Sequence, residues 1–206
     1  MSLPRVYPIV DSAAWVRRLA PTGVRLVQLR IKDAELTQLR MEIRAARESC
    51  AAAAIQMVVN DHWQLALDER CDFVHLGQGD LDGADLPALR RAGVRLGLST
   101  HDEAELERAL RLQPDYVALG PIYPTLLKVM PWAPQGLARI TQWKARLGTV
   151  PLVAIGGLTL ERLPGVFAAG ADVAAVVTDI VRDADPERRA YAWVTVAQDA
   201  APAAAA

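Results

Sequence analysis

Residues 58–81 read VVNDHWQLALDERCDFVHLGQGDL. An apolar run ends abruptly in Asn60-Asp61, a helix-compatible segment follows, and a second apolar run, Phe73 to Leu76, ends in Gly77-Gln78-Gly79-Asp80. Short β-branched runs closed by turn residues and separated by helical sequence are the pattern of successive βα units. If the pattern continues along the chain, Asp61 and Asp80 occupy equivalent points of neighbouring units and stand side by side.

The pattern does continue. Strand-like runs fall at 6–10 (VYPIV), 24–29 (VRLVQL), 55–59 (IQMVV), 73–76 (FVHL), 94–98 (VRLGL), 115–119 (DYVAL), 151–155 (PLVAI) and 173–177 (VAAVV). Helix-compatible segments lie at 12–19, 34–53, 62–70, 84–92, 102–111, 135–147, 159–169 and 184–198, with start signals at Asp33, at Thr100 or His101, and at Thr159. Near-continuous apolar strands alternating with helices imply a parallel sheet covered by helices, and eight units are the number that closes a (β/α)8 barrel. The expectation is an α/β fold, a compact TIM barrel in one domain over residues 1–199, with an Ala/Pro tail at 200–206 that frays. An open doubly wound sheet usually has fewer strands and often a G-x-G-x-x-G turn, which this chain lacks.

Bulk composition narrows the function. A net charge of −1 gives no general attraction to nucleic acid or an anionic membrane, so an anion site has to be local. Of the 23 basic residues only Lys32, Lys128 and Lys144 are lysines, and the first two fall in loops after apolar runs. The two cysteines, Cys50 and Cys71, have neither disulfide-framework nor zinc-ligand spacing and suit a reducing cytoplasm. No charged-then-apolar leader precedes Val6 and no run approaches a membrane span, so the expected location is the cytoplasm. The expected partners are small molecules, not nucleic acid or membrane, and the sequence leaves room for a homo-oligomer.

In such a barrel the active site lies at the C-terminal ends of the strands. The residues placed there are Asp11, Arg30 and Lys32, Asn60 and Asp61, Gln78 and Asp80, Ser99 and His101, 120–128, Gly156-Gly157, and Thr178-Asp179. Two adjacent carboxylates repel unless a cation lies between them, and Mg²⁺, which takes one or two carboxylates together with waters and phosphate oxygens, suits the pair. Arg30, Lys32 and Lys128 suit a phosphate-rich ligand. Loops after the seventh and eighth strands often cradle a second phosphate in barrels of this kind. Each feature also has a plain structural reading: Asp61 as a helix cap, Asp80 as a turn residue, the glycines as a tight turn. Together they suggest the joining of two phosphorylated small molecules without a protein nucleophile, because no Ser-His-Asp or Cys-His arrangement is legible. His75 reads as a core histidine; His101 either caps a helix or lines the mouth.

Seven motifs in order, VQLRIK (27–32), VVNDHWQLAL (58–67), FVHLGQGDL (73–81), GLSTH (97–101), LGPIYPTLLK (119–128), VAIGG (153–157) and GADVAAVVTDI (170–180), resemble the thiamine phosphate synthase family across nearly the whole chain. The resemblance implies a transferase that couples 4-amino-2-methyl-5-hydroxymethylpyrimidine diphosphate to a thiazole phosphate, releasing pyrophosphate. It implies Mg²⁺ on Asp61 and Asp80, and pyrimidine diphosphate contacts from Gln28, Arg30, Lys32, Asn60, Ser99 and Lys128, with Arg30, Ser99 and Lys128 serving catalysis. It puts the thiazole phosphate at Thr125, the position of Leu127, Gly157, Val177 and Thr178. The chain departs from the family pattern at Ile31, where an acid is usual, at Leu127, where a threonine is usual, at His62 after Asn60-Asp61, and at Thr178, where the hydroxyl of the usual serine is kept. The Pro-rich stretch 128–136 with Trp132 reads as a candidate lid or as a packed surface loop. Two rivals remain: a thiazole tautomerase of the same fold, which the resemblance would give a histidine where this chain has Gly120-Pro121, and a non-catalytic barrel that binds thiamine precursors.

Overall fold

The computed structural model describes residues 3–125 and 132–200. Eight parallel strands, β1 (Val6–Val10), β2 (Leu26–Leu29), β3 (Gln56–Asn60), β4 (Phe73–Leu76), β5 (Arg95–Thr100), β6 (Tyr116–Leu119), β7 (Leu152–Ala154) and β8 (Val173–Val176), close into a barrel in sequence order. β1 pairs with both β2 and β8, which seals it. Among the described residues the helices are α1 (Ala13–Leu19), α2 (Leu36–Ala52), α3 (Trp63–Asp68), α4 (Gln78–Leu81), α5 (Leu86–Arg91), α6 (Glu103–Arg111), α7 (Gly136–Leu147), α8 (Leu163–Ala168), α9 (Thr178–Val181) and α10 (Pro186–Asp199). None of them is long and apolar enough to cross a membrane.

The alternation of side chains along the strands separates two cores. One set, including Val27, Val59, Val74, Leu98 and Leu119, points outward and packs under helical residues such as Ile43, Leu106, Trp143 and Trp193. The other set, Tyr7, Leu26, Val58, Phe73, Tyr116, Val153 and Val173 among them, fills the barrel interior. Gly97 belongs to this interior by necessity: a Cβ there would lie 2.1 Å from the Tyr116 ring, so the missing side chain of β5 is the room the tyrosine occupies. Cys50 and Cys71 are buried as free thiols, pushed by burial to about 12 and about 11, and are inert.

The expected start signals need correction. Asp33 does not cap α2; it adopts φ +57, Glu35 occupies the cap position, and no side chain caps there. α6 is capped by Asp102, whose carboxylate accepts from the Glu105 N–H at 2.9 Å, and not by Thr100 or His101. Thr100 instead lies in β5, fully buried, donating to the Ala118 carbonyl and accepting from Trp143 Nε1. Thr159 precedes a 3-10 turn (Leu160–Arg162) and makes no side-chain cap.

Candidate active site

The chain turns sharply after β3. Asp61 adopts φ +62, a left-handed conformation that Asp tolerates better than most residues, and donates its N–H to the His75 carbonyl at 2.9 Å. This turn brings the Asp61 carboxyl close enough to Asp80 of the next unit for the two carboxylates to interact electrostatically. Asp80 sits in the one-turn helix α4 and also accepts from the Gly77 N–H at 3.2 Å. Burial first, and then the charge of Asp80, pushes the Asp61 carboxyl above its ordinary range, while Arg30 pulls it down. Without a cation the Asp61 carboxylate is disfavoured beside the Asp80 charge. A hard divalent ion relieves that repulsion, so the donor set fits Mg²⁺, with the remaining coordination left to water and substrate oxygens. No third Asp, Glu, His or Cys joins them into a larger metal-ligating group among the described residues. The helix-cap reading of Asp61 fails: His62 occupies the cap position of α3 and no side chain caps that helix.

Arg30 follows β2 directly, its N–H held by the Val10 carbonyl at 2.8 Å, and its charge reaches both Asp61 and His75. With Asp11, Lys32, Asp33 and Gln38 it lines a cleft of about 450 Å³ at the rim. Ile31 packs against the outer core. Deeper in the barrel, Gln28, Asn60 and His75 are buried polar side chains at the ends of adjacent strands. Gln28 Nε2 donates to the Tyr7 hydroxyl at 3.0 Å, Tyr7 meets the Tyr116 hydroxyl at 3.0 Å, Tyr116 meets His75 Nδ1 at 2.7 Å, and His75 Nε2 meets Ser99 Oγ at 2.8 Å. Burial, and secondarily Arg30, lowers His75 to about 4, so the imidazole is neutral at physiological pH. Its expected place as a core histidine is borne out, and in addition it supports Ser99.

On the opposite side the loops after β6, β7 and β8 lock together. Gly157 adopts φ +64, and a Cβ there would lie 2.4 Å from the Pro124 carbonyl, so only glycine lets this loop press against the residue before Thr125. Tyr123 donates its N–H to the Gly156 carbonyl at 3.0 Å. Val177 and Thr178 begin α9, and the next residue, Asp179, ties the two loops together: its carboxylate accepts from the Leu160 N–H at 3.2 Å, from Trp193 Nε1 at 2.6 Å, and from Arg189 through two bonds at 2.9 Å. His101 is held to α6 by Glu105, 2.8 Å from Nδ1, and is roofed by the Trp132 ring at a centroid distance of 3.9 Å. It therefore does not cap the helix. Lys128 and Leu127 lie outside the described residues, as do residues 129–131 of the 128–136 stretch; of that stretch Trp132 to Gly136 are seen, with Gln135 Nε2 donating to the His101 carbonyl at 2.7 Å.

Comparison with known proteins is decisive at this point. A family described as thiamine monophosphate synthase matches residues 6–180. The chain belongs to the thiamine monophosphate synthase family. Among curated relatives, a thiamine-phosphate synthase of Rhizobium etli is 62% identical over 94% of this chain and 95% of its own length. One of Klebsiella pneumoniae is 47% identical over 87% of this chain and 85% of its own. Among solved structures, a thiamine phosphate pyrophosphorylase of Pyrococcus furiosus superposes with a TM-score of 0.83 at 22% identity, covering 96% of each chain, a likeness of fold. The protein is an enzyme, a transferase of thiamine biosynthesis.

Membership of the thiamine monophosphate synthase family gives the geometry its orientation. Gln28, Arg30, Asn60, Asp61, Asp80 and Ser99 come together on one side of the mouth, and Thr125, Gly157, Val177 and Thr178 lie on loops at the other. Three residues were not singled out as site residues by sequence, Tyr7, His75 and Tyr116, and Asp179 was placed at the mouth without a role. The available signal for these three was a polar tip at inward positions of a strand.

Proposed function

We propose that the enzyme joins 4-amino-2-methyl-5-hydroxymethylpyrimidine diphosphate to a thiazole phosphate, forming thiamine phosphate and pyrophosphate by Mg²⁺-assisted dissociative loss of the diphosphate. The observation that carries this reading is the electrostatic pairing of Asp61 with Asp80 beside Arg30, at the ends of adjacent barrel strands, in a chain of this family. Asp61 and Asp80 would hold Mg²⁺, which when bound neutralises charge building on the leaving diphosphate. Arg30, Ser99, Lys32 and Lys128 bind the diphosphate oxygens, and Gln28 and Asn60 orient the pyrimidine from the barrel floor. Thr125, Gly157, Val177 and Thr178 hold the thiazole phosphate, so that the ring nitrogen faces the carbon from which the diphosphate departs. Rate enhancement then comes from charge stabilisation and positioning, with no covalent protein intermediate. The half-buried Trp132 beside His101 supports exclusion of water from an electron-poor pyrimidine.

An oxygen label placed in the bridge between pyrimidine carbon and diphosphate tests the dissociative step. With Mg²⁺ and a thiazole phosphate analogue lacking the nucleophilic nitrogen, the label is expected to migrate to non-bridging positions. Absence of migration with the analogue, from enzyme that turns over the true substrate pair, would contradict it.

A further inference from the structure

The line Gln28–Tyr7–Tyr116–His75–Ser99 crosses the barrel interior, and its two ends are the side chains that the proposed function assigns to the pyrimidine diphosphate. Its three middle members contact no substrate in that reading. Counting protons shows what they do. Tyr7 oxygen accepts from the Gln28 amide, so its own single proton goes to the Tyr116 oxygen. Tyr116 oxygen is then an acceptor on that side, and its proton goes to His75 Nδ1. A neutral imidazole that accepts at Nδ1 carries its proton on Nε2, and that proton is donated to Ser99 Oγ at 2.8 Å. Ser99 already accepts from within the barrel, which leaves its hydroxyl proton to be directed at the mouth.

The opposite sense requires turning over the Gln28 amide. Every bond then reverses, and the Ser99 proton points back at His75, presenting oxygen lone pairs to the mouth. A diphosphate offers only acceptors, so it matches the first sense and opposes the second. The imidazole has to remain neutral for either sense to exist, because an imidazolium donates at both nitrogens. The His75 side chain is buried, with the neutral hydroxyls of Tyr116 and Ser99 as its two ring partners. Gly97 is the complementary device, since only a residue without Cβ admits the Tyr116 ring that carries the middle of the line.

We infer that Tyr7, Tyr116 and His75 are positioning residues that fix Ser99 as a hydrogen-bond donor toward the diphosphate, with His75 held as the Nε2–H tautomer. The inference rests on the proposed function for the identity of the ligand, but not for the tautomer.

The test combines a spectroscopic and a kinetic readout. In protein labelled with ¹⁵N-histidine, with the His75 signals assigned by their loss in His75→Asn, the resting enzyme is expected to show a protonated Nε2 and an accepting Nδ1. Tyr116→Phe removes the donor to Nδ1 and is expected to convert this to a mixture of tautomers. The same variant lowers kcat about 10-fold with little change in KM for the thiazole phosphate, and in a Ser99→Ala background it adds no further loss. If Tyr116→Phe fails to fold, Tyr7→Phe cuts the line one bond further from Ser99, and a loss of about 3-fold that again vanishes in the Ser99→Ala background is expected. A resting His75 protonated at Nδ1, or a double variant whose loss is the product of the two single losses, overturns the inference. If no thiamine phosphate is formed at all, the proposed function fails, and the tautomer signal still decides the orientation of the line.

Discussion

Asp80→Asn isolates the charge of the carboxylate pair from its shape. The carboxamide keeps an oxygen for the Gly77 N–H and for a metal ion, but removes one of two neighbouring negative charges. One unit charge acting on a unit charge at about 4 Å is worth about 4 kcal/mol at the effective dielectric of a protein site and about 1 kcal/mol in water. A divalent ion doubles both limits. Asp80 is exposed on the mouth and the amide oxygen remains a ligand, so the loss falls near the lower limit, about 2 to 3 kcal/mol, or roughly 30- to 150-fold. The variant is expected to need that much more Mg²⁺ for half-maximal pyrophosphate release, with turnover recovering in part at high Mg²⁺. Its melting temperature without metal should equal or exceed the parental value, because the repulsion that raises the Asp61 carboxyl has gone. A parental Mg²⁺ dependence, with parental turnover, would refute the assignment of Asp80 to the metal.

Gly97→Ala places a methyl group against the Tyr116 ring and is expected to cost about 3 kcal/mol, a fall in melting temperature of about 6 to 12 °C; unchanged melting would show that the ring has space the structure denies it. Asp179→Asn weakens the paired bonds to Arg189 and loosens the β7 and β8 loops, so KM for the thiazole phosphate should rise about 10-fold with that for the pyrimidine diphosphate unchanged. The pH dependence of metal binding follows from the raised Asp61 carboxyl. The folded state binds that proton more tightly than the unfolded chain, so without metal this group's contribution to stability falls as pH rises from the unfolded carboxylate range through the raised one. Mg²⁺ competes with the same proton. Its stabilising effect on melting should therefore be full above the raised range and fade as pH falls through it, and an increment that grows on acidification would contradict the account.

The barrel was legible because each strand is a short apolar run and each connection carries a helical period. Boundaries were less legible where polar residues belong to a strand. β5 runs on through Ser99 and Thr100 because Thr100 finds buried partners in Ala118 and Trp143, which no local pattern announces. Asp33 looked like a cap, yet the chain adopts a left-handed turn there and starts its helix later. The neighbouring aspartates were readable because the barrel order places successive strand ends side by side. Tyr7, His75 and Tyr116 were not, because their pairing joins β1, β4 and β6 across the interior and depends on the space left by Gly97. The one-turn helix α9 is too short for a hydrophobic period to mark it.

The central claim is that the carboxylate pair and the two anionic subsites perform one Mg²⁺-dependent joining reaction. The most direct measurement incubates the purified protein with the pyrimidine diphosphate and the thiazole phosphate, with Mg²⁺ or with chelator, and quantifies pyrophosphate and thiamine phosphate together. Equal amounts of both products with Mg²⁺, and neither with chelator, is the predicted result. Binding of either compound without pyrophosphate release in the presence of Mg²⁺, or product formation that chelator leaves untouched, would contradict the account.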